Sequence, residues 1–113
     1  MMLRVVLDTN VLVSAIISDG KSRELLKKGI TNQYSIVISD LILNELIIVL
    51  RRPKFNISEG EVQRTILAII STADVVNVKT KIKAVKEDPK DDMIIETATD
   101  GNADFIETGD SPF

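Results

Sequence analysis

The sequence predicts an α/β domain built on a parallel sheet, and three observations carry that prediction. Short aliphatic runs alternate with longer segments of helical periodicity along the whole chain. Leu, Ile and Val carry the apolar load while aromatics make up only 4% of residues, which suits a helix-covered sheet better than an all-β sandwich. Asp8 and Asp110 each fall just past a predicted strand, where open parallel sheets bind ligands. With 113 residues, 44% of them hydrophobic, residues 1–113 form one domain able to bury a core.

The elements follow in order. Leu3-Arg4-Val5-Val6-Leu7 is a nearly continuous run of β-formers and reads as a buried parallel strand ending at Asp8. Asn10 is expected to cap the next helix, which carries Val11, Leu12, Ala15 and Ile16 at helical spacing. Asp19-Gly20 breaks it, and a second helix with Leu25 and Leu26 is expected to stop at Gly29. Tyr34 to Ile38 reads as the second strand. Ser39 or Asp40 opens a strongly apolar helix to about Leu50, ended by Arg51-Arg52-Pro53. Ser58 with Glu61 three residues on is a capping-box signature, opening a helix with Val62, Ile66, Ile69 and Ile70 on one face. Asp74 to Val78 is a brief third strand. Pro89 suits the first position of a helix with Ile94, Ile95 and Ala98 inward and Gly101 at its end. Ala103 to Ile106 is the last strand and delivers Thr108-Gly109-Asp110.

Composition narrows the chemistry. Cysteine is absent, which removes disulfides and thiolate metal sites. Histidine is also absent, which removes the usual general base and the usual zinc ligand. Catalysis must then use carboxylates, hydroxyls, lysines or a bound ion. The net charge of −3 gives no global electrostatic case for nucleic-acid binding. No apolar run reaches the roughly 18 residues of a membrane span. The start lacks the form of a signal peptide, so the expectation is a cytoplasmic protein without membrane attachment.

Acids stand in unusual places. Glu45 shares its helix face with Leu41 and Ile42 behind and Ile48 and Val49 ahead. A carboxylate on such a stripe costs several kcal/mol, roughly, unless a cation or donors compensate; an internal salt bridge is the plain alternative. Asp91 lies above Ile94, Ile95 and Ala98 by helical count, whereas Asp92 lies toward the edge. Either could simply complement the helix dipole, as Asp8 could simply cap a helix. If the four converge, like charges raise one another's pKa unless a cation is present. A carboxylate cluster without histidine or cysteine suits a hard, oxygen-seeking ion, Mg²⁺ or Mn²⁺.

The sequence resembles the PIN-domain nucleases, especially the branch of toxins from toxin–antitoxin pairs. The matching stretches are Leu7-Asp8-Thr9-Asn10-Val11-Leu12-Val13-Ser14-Ala15, Ser39-Asp40-Leu41-Ile42-Leu43-Asn44-Glu45-Leu46, Glu87-Asp88-Pro89-Lys90-Asp91-Asp92, and Ala103 to Asp110. The resemblance implies a three-layer fold, a parallel sheet sandwiched by helices. It places the family's metal-holding, catalytic acids on Asp8, Glu45, Asp91 and Asp110, with Asn10 and Thr108 supporting them; Asp92 is an additional candidate for that supporting role. It implies Mg²⁺- or Mn²⁺-dependent hydrolysis of single-stranded RNA, an antitoxin protein as partner, and a homodimer. Two departures stand out. The family continues past the Thr-Gly-Asp block with a helix and a further strand, so this chain is expected to lack them and to leave apolar surface or a sheet edge for a partner to cover. Glu107 stands where the family has an apolar strand residue.

Cations for an RNA backbone are available in Arg51, Arg52 and Lys54, and again in Lys79, Lys81, Lys83 and Lys86. Phosphotransfer domains of receiver or haloacid-dehalogenase type also place an Asp after the first strand. The second wants another Asp where Asn10 stands, and the first wants an acidic pair where Asp8 is isolated. The alternative from another class is a catalytically inactive, shortened binding module that pairs with an antitoxin or RNA and cuts nothing.

Overall fold

The computed structural model describes residues 2–79 and 89–108, the side chains of residues 89–91 excepted. In chain order the elements are β1 (Arg4–Leu7), α1 (Thr9–Ile17), α2 (Lys21–Ile30), β2 (Ser35–Ser39), α3 (Asp40–Leu50), a 3-10 turn (Pro53–Phe55), α4 (Glu59–Thr72), β3 (Asp74–Val76), α5 (Pro89–Asp100) and β4 (Phe105–Glu107). The strands form one parallel sheet in the order β3-β2-β1-β4, with Val5 registered against Ile36 on one side and Phe105 on the other. The chain thus steps outward through β1, β2 and β3, then crosses back to lay β4 beyond β1. Right-handed crossovers require α5 to lie on the face opposite α1 to α4.

Alternate residues of β2 show both faces covered. Ile36 meets α2 at Gly29, where an added Cβ would stand 2.5 Å from its Cγ1. Val37 meets α5 at Gly101, where an added Cβ would stand 2.5 Å from its Cγ1 and 3.0 Å from the Thr97 carbonyl oxygen. Central positions of β1 and β2 are therefore enclosed on both sides: Val6, Val37 and Ile38 are fully buried. β4 ends the sheet, with Phe105 58% and Ile106 41% exposed.

The structure corrects several local expectations. Gly29 does not end the second helix but lies inside it, serving close approach; the reversal comes from Asn32, at φ 63. Likewise Asn102, at φ 50, supplies the left-handed residue after α5, while Gly101 serves contact with β2. On α4, Val62, Ile66 and Ile69 are buried but Ile70 is 43% exposed, because it falls on the flank of a narrow stripe. On α5, Ile94 and Ala98 pack against the core and the fully buried residue between them is Thr97, not Ile95. The third strand stops at Val76, and the last is shifted to Phe105–Glu107.

Candidate active site

β1 and β4 are neighbours whose helices lie on opposite faces, so their carboxyl ends form the switch point at which open α/β sheets hold ligands. Asp8 stands there, only 7% exposed. Its N–H extends the ladder to the Glu107 carbonyl at 3.1 Å, its own carbonyl accepts the Leu12 N–H at 3.1 Å, and its Oδ1 accepts the Val11 N–H at 2.8 Å. Asp8, not Asn10, is the cap of α1. The strand's last ladder bond leaves Asp8 extended at φ −73 and ψ 168, the geometry a cap needs, so the helix begins one residue later and Asn10 becomes an exposed first-turn position. Capping and ligand binding are compatible here, since the cap takes one of the roughly four acceptor sites of a carboxylate.

On the other side of β1, Ser39 ends β2 and caps α3, its Oγ accepting the Ile42 N–H at 3.2 Å. Thr97 of α5 reaches across to it, with Oγ1 2.6 Å from Ser39 Oγ and 2.7 Å from the Met93 carbonyl oxygen. Both side chains are fully buried. A threonine has one hydroxyl proton, so the two short contacts need two donors. Thr97 donates to the Met93 carbonyl, and Ser39 supplies the proton between the hydroxyls. Sequence reasoning identified Ser39 as a cap but missed Thr97. The available signal was a hydroxyl between Ile94 and Ala98 on the packed face, which must find a partner.

A family model described as PIN domain matches residues 4–111. The chain belongs to the PIN-domain family. Among solved structures it is similar to the "Crystal structure of VapBC2 from Rickettsia felis bound to a DNA fragment from their promoter". That match has 19% identity and a TM-score of 0.66, covers 96% of this chain and 100% of that one, and establishes likeness of fold. Curated proteins give no match.

The remaining residues expected of a PIN site are distributed as follows. Thr108 leaves β4 beside Asp8 and is exposed. Glu45 is half-buried on α3. The apolar stripe expected around it is incomplete, since Ile42 and Val49 are buried but Ile48 is 65% exposed; Glu45 thus stands on the flank of the core-facing side. Asp91 lies in the first turn of α5 and its side chain falls outside the described residues, as does all of Asp110; Asp92 is half-buried. Among the described residues no three acids form a group that could hold a metal ion, a set that omits two of the four expected ligands.

The basic cluster lies at the far end of α3, about 16 Å of helical rise from Ser39. Arg51 pairs with Glu59 through Nη2 to Oε1 at 2.6 Å and Nε to Oε2 at 3.2 Å, and this hydrogen bonding lowers the Glu59 pKa. Lys54 places its Nζ 5.1 Å from the centre of the Phe55 ring, and Arg52 is exposed. Of the second basic group, Lys81, Lys83 and Lys86 lie outside the described residues; the Lys79 backbone N–H donates to Asp100.

Proposed function

We propose that this PIN domain is a Mg²⁺- or Mn²⁺-dependent endoribonuclease that hydrolyses phosphodiester bonds of single-stranded RNA, the cytoplasmic toxin of a toxin–antitoxin pair. The observation that carries this reading is buried Asp8 at the sheet's switch point, its backbone held by hydrogen bonds to Glu107 and Leu12 and its carboxylate accepting one from the Val11 N–H. The donors fit the ion: with no histidine or cysteine in the chain, only oxygen ligands can be offered, as hard divalent cations prefer. Asp8, Glu45, Asp91 and Asp110 would hold it. When bound, such an ion polarises a phosphoryl group and makes a water nucleophilic near neutral pH.

The protein's own contribution is placement. Asp8 is fixed by strand and cap together, so little ordering is left to the moment of substrate binding. Asn10 and Thr108, both exposed at the rim, are suited to hydrogen-bond the phosphate or the acids, with Asp92 in the same supporting role. Arg51, Arg52 and Lys54 would engage the RNA backbone away from the scissile bond. A protein partner, antitoxin or second copy, is supported by the exposed Ile48 and Leu67 at a 310 Å³ groove lined by Ile47, Val62, Ile66 and Leu67 together with Arg51 and Gln63. The likeness to VapBC2 points the same way. No helix among the described residues is long and apolar enough to cross a membrane.

Cleavage of a labelled single-stranded RNA with Mn²⁺, with and without EDTA, tests the reading. Asp8→Asn is the variant of choice because Asn caps helices about as well as Asp. It should lower cleavage by about 100-fold or more, in line with loss of a positioned catalytic group, with far-UV circular dichroism unchanged; Asp91→Asn should do the same. Cleavage that persists in EDTA and in both variants contradicts the proposal. A folded protein that cuts nothing and binds no Mn²⁺ supports the inactive binding module instead.

A further inference from the structure

We propose that the cavity between the end of α1 and the start of α4 is a nucleobase subsite that takes one unpaired guanine of the RNA strand. This rests on the single-stranded RNA reading above and names a feature of that strand. The cavity holds 370 Å³, within the range of small-ligand pockets, and lies at the basic turn Pro53–Phe55. Its apolar part comes from Ile16 and Ile17 of α1, Phe55 of the turn and Ile57 after it, all half-buried. The Arg23 guanidinium donates to the Ala15 and Ile16 carbonyls at 2.9 and 3.0 Å, so these acceptors at the end of α1 are already satisfied. An aromatic ring with aliphatic walls is the kind of surface on which an unpaired base stacks.

The rest of the lining is polar and carries both signs: Asn56, Thr65, Glu61 and Arg64. Glu61 and Arg64 are three residues apart on α4, close enough to pair. Among the described residues neither side chain has an ion pair or hydrogen bond. Ser58 Oγ accepts the Glu61 N–H at 3.2 Å, but the carboxylate is not returned to the Ser58 N–H, so the capping box is half formed and the acid stays at the cavity. Arg64 folds back over Gly60, where an added Cβ would stand 3.4 Å from its Nη1. A carboxylate only accepts and a guanidinium only donates. A ligand that satisfies both presents donors at one point, an anion at another and a flat apolar body between, which is the composition of a nucleotide. Among the four RNA bases, guanine alone sets two donors side by side, N1–H and the N2 amino group, to match the two oxygens of Glu61. Lys54, its Nζ 5.1 Å from the centre of the Phe55 ring, adds a cation for the flanking phosphate. Asp8 caps the opposite end of α1, about 13 Å of helical rise away, a span that an extended strand crosses in a few nucleotides.

The test is fluorescence anisotropy of end-labelled RNA hexamers in EDTA, which reads binding without metal or cleavage. A uridine hexamer with one central guanosine should bind the parent about tenfold tighter than the same hexamer with adenosine, in line with one bidentate base contact. Glu61→Gln, at an exposed and unpaired position, should keep the parent's melting temperature and bring the two hexamers within about twofold. Arg64→Ala should weaken both alike and reduce the salt slope by about one. Guanosine monophosphate should displace the guanosine hexamer only in large excess. Displacement at equal concentration assigns the cavity to a free nucleotide and overturns the proposal. A guanine preference absent from the parent or surviving in Glu61→Gln overturns it too, as does unchanged binding in Arg64→Ala. A parent that binds neither hexamer contradicts the RNA reading and this inference together; a parent that cuts RNA with Mn²⁺ but ignores guanine loses this inference alone.

Discussion

The two ends of the sheet use the same side-chain chemistry for different purposes. At the amino edge, Arg4 of β1 donates its N–H to Asp104 at 2.9 Å, its Nε to the Gly101 carbonyl at 2.9 Å and its Nη2 to Asp74 at 2.6 Å. One guanidinium thus ties β1 to β3 and to the end of α5, and Asp74 there meets a cation belonging to the fold, while Asp104 is held by the Arg4 backbone N–H. At the carboxyl edge, polar groups are placed by helix starts: Asp8 by the first turn of α1, Ser39 by that of α3. The first arrangement neutralises charge and clamps the layers. The second aims an acid at the switch point. Topology, more than residue type, separates structural acids from candidate ligands.

The sharpest way to break this comparison is to exchange damage between the ends. Asp8→Asn should lose cleavage and keep stability. Arg4→Ala should do the reverse, losing about 1–3 kcal/mol in a urea melt as hydrogen bonds to a charged group disappear, with Mn²⁺-dependent cleavage retained below the transition. Equal losses of activity in both variants would merge the two ends into one. Gly101→Ala should come next, at about 1–3 kcal/mol, because the new methyl must push Val37 or the Thr97 carbonyl aside.

Tyr34→Phe should have the smallest effect, about 1 kcal/mol near neutral pH, from loss of the 2.6 Å hydrogen bond to the Leu25 carbonyl. It also has a pH signature. Burial, with a smaller push from Glu107, raises the Tyr34 phenol from 10.0 to about 12. The folded state therefore holds this proton more tightly than the unfolded chain does. The contribution is fully present below pH 10 and is lost as pH rises toward about 12. Stability of the parent should fall more steeply than that of Tyr34→Phe across that window.

Much of this was legible from residues. The aliphatic runs at Val5–Val6 and Ile36–Ile38 marked the central strands because strands covered on both faces carry unbroken apolar sequence. Ser39 and Ser58 marked helix starts because a hydroxyl three residues before an unpaired N–H has a local role. The errors came where the decisive partner is distant in sequence. Gly29 looked like a helix stop because chain-local rules cannot see Ile36 approaching; Gly101 does follow the end of α5, but its contact with Val37 was equally invisible. Thr97 was invisible because its partner is 58 residues away. Glu45 looked more deeply buried than it is, since Ile48 satisfies the periodicity yet faces outward. Of the four acids proposed as ligands, Asp8 was the most readable: a strand end and a helix start coincide on it.

The most direct test of the central claim, that Asp8 anchors a divalent cation, is the melting temperature of the parent and Asp8→Asn as Mn²⁺ is titrated. A ligand bound only by the folded state adds about 2.7 kcal/mol at a hundred times its dissociation constant. The parent should therefore show a rising melting temperature that flattens logarithmically, and Asp8→Asn should show none at the same concentrations. An equal rise in both chains, or none in the parent, would contradict the assignment of Asp8 as the anchor.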